Sequence, residues 1–169
     1  MSEIRSIGLK YIKIGDPAED GGMGSSLAAL GVTYQDTAQL VQGDPEITEI
    51  FSEENDDPEE VIESKASKSV KWSIMNFDPD EMVKVLGGTS SNGAWHSPTI
   101  MDPIEKSIEI LSKKDVRIQI PRAKIVAKLN MQFRKKGVAL IDIEAKILTP
   151  EKANTAPIVI EQLDESPES

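Results

Sequence analysis

The stretch that decides the fold runs from Ile120 to Pro150, IPRAKIVAKLNMQFRKKGVALIDIEAKILTP. From Ala123 one face reads Ala123, Ile125, Ala127, Leu129, Met131, Phe133; the other reads Lys124, Val126, Lys128, Asn130, Gln132, Arg134. That period of two belongs to a strand with one buried and one wet face. After Lys135-Lys136-Gly137 the pattern restarts as Ala139, Ile141, Ile143, Ala145, Ile147, opposed by Leu140, Asp142, Glu144 and Lys146. Two alternating runs around a short glycine-containing turn predict a β-hairpin. A strand of about eleven residues at ~3.3 Å each spans roughly 36 Å, long for a domain of this size. Pro150 ends the run.

Upstream, Val116, Ile118 and Ile120 alternate with Arg117 and Gln119, which predicts another strand. Ile104 to Leu111 fits a helix opened by Asp102-Pro103 or a strand with Ile108 and Ile110 around Glu109; its strand neighbours favour the strand. Thr89 to Ser97 reads as a Gly/Ser/Asn loop around Trp95 and His96. In Ser69 to Phe77, Val70, Trp72 and Ile74 alternate with Ser69, Lys71 and Ser73, again a strand. One helix is predicted, over about residues 78–87. Asp78 can cap it, Pro79 suits its first position, Asp80 and Glu81 meet its positive end, and Gly87-Gly88 stops it. Met82, Val83 and Leu86 supply its apolar stripe.

Towards the N-terminus, Ile4 to Ile14 reads as a strand, followed by a long mobile loop through Asp20-Gly21-Gly22-Met23-Gly24-Ser25-Ser26. Leu30 to Tyr34, Thr37 to Val41 and Ile47 to Phe51 read as extended. The fold class that follows is mainly β: an antiparallel sandwich or barrel with one short flanking helix and long loops. Residues 1–150 are expected to form a single domain, and residues 151–169 a flexible acidic tail.

Composition excludes much chemistry. The 169 residues contain no Cys and one His, with 19 basic residues against 29 acidic and a formal charge of −10. Thiolate catalysis, disulfides and Cys-ligated zinc are therefore absent, and a Ser/His/acid triad has His96 as its single possible centre. No G-x-S-x-G elbow accompanies it. A chain this acidic is poorly suited to gripping nucleic acid. No apolar run approaches the ~20 residues that span a bilayer. Met1-Ser2-Glu3-Ile4-Arg5 lacks the basic start of a signal peptide, so synthesis in the cytosol is expected. Gly21 to Ser26 lacks the lysine of a phosphate-binding loop and reads as an ordinary turn region. Asn55-Asp56-Asp57 and Asp78-Pro79-Asp80 lack the ligand spacing of a calcium loop. No catalytic residue, metal or cofactor is expected.

Charge distribution says more than its sum. From Asp36 through Glu63 there are eleven acids and no base; from Lys113 through Lys136 there are nine bases and one acid. Opposed segments of −11 and +8 suit solvated faces, or head-to-tail contacts between identical subunits, which generate rings or filaments.

Four stretches together resemble a phage tail tube protein (major tail protein). They are the strand Ile4 to Ile14 with its Gly/Asp loop and Leu30-Gly31-Val32-Thr33-Tyr34; the acidic Glu46 to Ser64; NFDPDEMVKVLGG, Asn76 to Gly88; and the hairpin Ile120 to Pro150. The resemblance is one of pattern over most of the chain, without an invariant motif. It implies a virion protein made in the bacterial host cytoplasm, non-enzymatic, that forms hexameric rings stacked into a tube, an architecture shared with type VI secretion tubes. It implies other tail proteins as partners, and DNA that passes through the lumen without specific binding.

On this reading the assembly contacts fall on Glu53, Glu54, Asp56, Asp57, Glu59 and Glu60, on Arg134, Lys135 and Lys136, and on the loop containing Asp20 and Met23. An inert lumen further requires Lys124, Lys128 and Arg134 to be neutralised by Asp142 and Glu144 across the hairpin, or by a neighbouring subunit. The alternatives are a β-rich adhesion or carbohydrate-binding module using Trp95 and His96, and a small hydrolase using His96.

Overall fold

Alternating apolar and polar residues with a single capped helical stretch leave the chain little choice but strands. The computed structural model describes residues 8–163. In chain order it contains β1 (Tyr11–Gly15), β2 (Ala28–Ala29), β3 (Gln39–Gln42), β4 (Ile47–Ile50), β5 (Glu60–Glu63) and β6 (Lys68–Ile74). Then follow α1 (Pro79–Leu86), β7 (Thr89–Ser91), β8 (Ala94–His96), β9 (Ile104–Leu111), β10 (Val116–Asn130), β11 (Leu140–Ile147) and β12 (Val159–Gln162). The expected first strand extends to Ile4, whose surroundings lie outside the described residues.

Strand β10 organises the sheet. The two alternating runs predicted before and after Pro121 join into one strand of 15 residues. Against β9 the register shifts between Ile120 and Ala123. Proline has no N–H to give the ladder, so Pro121 and Arg122 mark an irregularity there. The shift also changes parity: Ile118 and Ile120 face the core before it, Ala123 and Ile125 after it. A strand that bends there keeps its apolar face inside on both arms.

The main sheet has the order β2-β1-β9-β10-β11-β6-β3, with β12 pairing β10, and every pairing is antiparallel. β12 lies along the first arm of β10 and β11 along the second. Residues 28–34 pass between the two ends of the sheet. Ala28 and Ala29 pair with β1, the Leu30 N–H reaches Ile12 O at 3.5 Å, and Thr33 bridges Ile74 of β6. The sheet therefore curls into a sandwich-like shell, but among the described residues no continuous ladder closes it into a barrel.

Inside the curl sit Ile12, Ile14, Val70, Trp72, Ile74, Ile108, Ile120, Ile125, Ile141 and Ile143, all buried. The helix completes this core as its caps foretell. Asp78 accepts from the Asp80 N–H at 3.1 Å, Pro79 opens the first turn, and the Gly87 N–H returns to Val83 O. Met82, Val85 and Leu86 are the buried face; Val83, expected on it, is half-buried.

Three local expectations differ from the structure. Thr89 to Ser97 is a small hairpin, β7–β8, whose Asn92 (φ 51°) and Gly93 (φ 75°) form the left-handed pair of a tight turn. The β10–β11 ladder ends at Asn130 opposite Leu140, so its connection is residues 131–139 rather than three residues. Phe133 is 92% exposed and finds no core to enter, while Arg134, Lys135 and Lys136 repel one another at the tip. Within the expected flexible tail, Val159–Gln162 adds a strand to β10, held by an Arg117–Glu161 ion pair. Asp164 to Ser169 lie outside the described residues.

Candidate assembly surfaces

The acidic segment builds a hairpin that leaves the body. β4 pairs with β5 in a ladder of its own, Ile47 opposite Glu63 through Ile50 opposite Glu60, and every residue of both strands is exposed. Because side chains alternate, Ile47, Glu49, Val61 and Glu63 share one face; Thr48, Ile50, Glu60 and Ile62 share the other. Each face thus mixes aliphatic and acidic groups. Neither packs on the core, and Ile47 (59% exposed), Val61 (55%) and Phe51 (55%) remain in water. An isolated two-stranded ladder is marginal in water, so this element gains most from being covered.

At its tip, Glu59 gathers the loop. Its carboxylate accepts from Ser52 Oγ at 2.9 Å and from the Asn55 amide at 2.7 Å, and its N–H donates to Ile50 O. The Asn55 and Ser52 donors hold the Glu59 carboxyl below the usual value. Glu53, Glu54, Asp56, Asp57 and Glu60 are exposed around it. The structure brings all six predicted acids together on one arm. Glu60 belongs to the ladder, and the rest belong to its tip.

The basic cluster occupies the other projecting loop. Arg134, Lys135 and Lys136 are exposed within residues 131–139, which contain no acid. Phe133 and Val138 (48% exposed) stand beside them, and Leu129, also 48% exposed, precedes the loop. Sequence reading put Phe133 in the core by extending the alternation too far. Its signal was the following basic triplet, which a buried strand end would not carry.

The third predicted surface is the least free. Asp20 accepts from Lys152 Nζ at 3.0 Å and from the Gly22 N–H at 3.0 Å. Those two donors lower its carboxyl, with the Lys152 contact the larger cause. The Gly24 N–H donates to Ser107 Oγ at 3.0 Å, and that hydroxyl donates to Pro121 O at 2.6 Å. A Cβ on Gly24 would collide with Asp16 O, so the loop passes too close for any other residue. Met23 is half-buried between these anchors. The segment expected to be mobile is pinned to β9. Its amides are also spent internally, since the Gly21 N–H donates to Ala18 O.

Neutralisation of the lysines across the hairpin does not occur as ion pairing. Lys128 stands opposite Asp142, but Asp142 accepts from Ser73 Oγ at 2.6 Å and from the Asn130 amide at 3.0 Å. Glu144 faces Val126, and Lys124 faces Lys146. Among the described residues no ion pair joins Lys124 or Lys128 to Asp142 or Glu144. Arg134 lies beyond the ladder altogether.

The Trp95/His96 pair of the alternative reading is divided by its hairpin. Trp95 packs against the core, and its indole N–H donates to Gly87 O at 2.9 Å, finishing the helix. His96 is exposed opposite Thr89. An aromatic platform for a sugar needs a free ring face, and this ring is used in packing. Sequence reading also missed a groove of about 860 Å³ beside β1, floored by Ile12, Ile110 and Ile118 and walled by Val32, Tyr34 and Leu40.

No protein-family model and no curated protein matches the chain.

Proposed function

We propose that this chain is a non-enzymatic structural subunit that polymerises: a phage tail tube protein whose copies close into rings, on the family pattern hexameric, and stack into a tube. The observation that carries the reading is the β4–β5 hairpin. It keeps five large apolar side chains, Ile47, Ile50, Phe51, Val61 and Ile62, in water on an arm with no base between Asp36 and Glu63. A chain that displays such an arm in isolation gains stability by covering it with another molecule. The same chain carries the opposite charge on another loop, so copies of itself are suitable partners.

The curled sheet supplies a wall with an apolar inner side and a mixed outer side. On the outer side, Lys71, Lys124, Lys128 and Lys146 share the surface with Glu105, Asp142 and Glu144. If that side lined a channel, its lysines, which make no ion pair among the described residues, would hold passing DNA. In this reading neighbouring subunits neutralise them, and the acidic balance of the chain keeps the passage from binding phosphate. The protein then resides in the virion tail, meets DNA in transit, and joins other tail proteins at the tube ends.

The test is negative-stain electron microscopy of concentrated protein over a range of salt. Rings or tubes that dissolve as salt rises are expected, because screening weakens exposed charge contacts. Protein that stays monomeric at every salt and concentration overturns the reading.

A further inference from the structure

Both projecting elements combine exposed apolar groups with charge of one sign, and the signs are opposite. The loop of residues 131–139 presents Phe133 at 92% exposure beside Arg134, Lys135 and Lys136. The β4–β5 hairpin presents Phe51, Ile50 and Ile62 beside Glu53, Glu54 and Glu60. Tight protein interfaces have this composition, with aromatic anchors at the centre and charges around them.

We infer that the loop carrying Phe133 is the receptor for the hairpin of a second copy. Phe133 packs against Ile50 and Ile62, which share one face of the ladder, and the basic triplet meets the acids of the hairpin tip. The inference rests on the self-assembly reading and deepens it by naming the two surfaces that meet. Charge complementarity selects this partner. An acidic hairpin is repelled by other hairpins, and the loop, which has no acid, is repelled by other loops. Contact between a loop and a hairpin is the attractive combination, and it is heterologous, so it propagates. The hairpin's second apolar face, Ile47 and Val61, stays available to another neighbour.

The chain's lack of cysteine makes the test clean. Two single-cysteine proteins, Glu53→Cys and Gln132→Cys, are mixed under assembly conditions and oxidised with copper phenanthroline. A mixed disulfide between the two variants is expected. It should be abolished by high salt and absent when Lys84→Cys, on the exposed side of α1, replaces Gln132→Cys. In parallel, Phe133→Ser should raise the protein concentration needed for assembly by at least about tenfold, as loss of an interface anchor does. Phe133→Leu should recover part of the loss. The monomer's circular dichroism should not change, because the side chain touches no core. Rings or tubes that form without the Glu53–Gln132 disulfide, or at an unchanged concentration with Phe133→Ser, overturn this docking and leave the self-assembly reading standing. Absence of any assembly by the unaltered chain removes both.

Discussion

Ser107 ties three parts of the molecule with one hydroxyl. It is fully buried, accepts from the Gly24 N–H and donates to Pro121 O beside the shift in β10. Ser107→Ala would leave a buried donor and a buried acceptor unpaired, so a loss of about 2–4 kcal/mol in urea unfolding is expected. Faster proteolysis within residues 16–26 should accompany it. Glu105 answers to pH instead. The Arg122 guanidinium beside it, at 2.9 Å, holds its carboxyl below the ordinary 4.5. Asp16, bonded to Lys106, is held below 3.8 in the same way. Depressed folded values mean that these groups add stability fully above their ordinary values and lose it as pH falls through the lowered ones. Melting temperature should therefore drop below about pH 4.5, and less steeply in Glu105→Gln. None of these roles was legible in the sequence. Ser107 occupies an ordinary strand position there, and a pair such as Glu105 and Arg122 is fixed by register, which spacing along the chain does not reveal.

Elements were read well where a local rule decided them and poorly where space did. The cap at Asp78, the stop at Gly87 and the alternation of β6 and β11 all rest on neighbouring residues, and all formed; β9, whose residues fit a helix as well, is a strand like the elements after it. The continuity of β10 through Pro121, the nine-residue loop before β11 and the pairing of β12 depend on what lies across the sheet. The acids of the candidate surface could be read from charge alone. That they stand on an unsupported hairpin could not, since Ile47 and Ile50 look like core residues in sequence. Amide exchange should separate the two kinds of ladder. In the monomer, β4 and β5 should exchange orders of magnitude faster than β6, β9 and β11, and assembly should slow them; equal protection in the monomer would contradict a free arm. Gly88 shows the close tolerances near the helix. It adopts φ 83°, and an added Cβ would strike His96 O. Gly88→Ala should cost about 1–3 kcal/mol in thermal or urea unfolding and detach β7–β8 from α1.

At the scale of the whole molecule, the formal charge of −10 averages over two projecting surfaces of opposite sign. Exchanging the sign of one should be felt by every contact between copies and by little else. Lys135→Glu with Lys136→Glu should shorten or abolish tubes in electron micrographs while leaving the melting temperature within about 1 °C, since both residues are exposed. Unchanged tubes would count against charge pairing. The sheet order also dictates when the protein becomes itself during synthesis. β1 has only the two residues of β2 beside it until β9 is made, and β6 has only the four residues of β3 until β11 is made. The core thus stays open until roughly residue 147 leaves the ribosome, the slow long-range closure typical of β topologies. The segment from Asp36 through Glu63, with eleven acids and no base, is made before β6, β9, β10 and β11, and its charge holds unfinished copies apart. The basic loop at 131–139 is made just before the last strand of that core. If copies assemble as proposed, the chain gains its attraction to other copies at nearly the moment it can fold, which leaves few half-made subunits open to premature polymerisation.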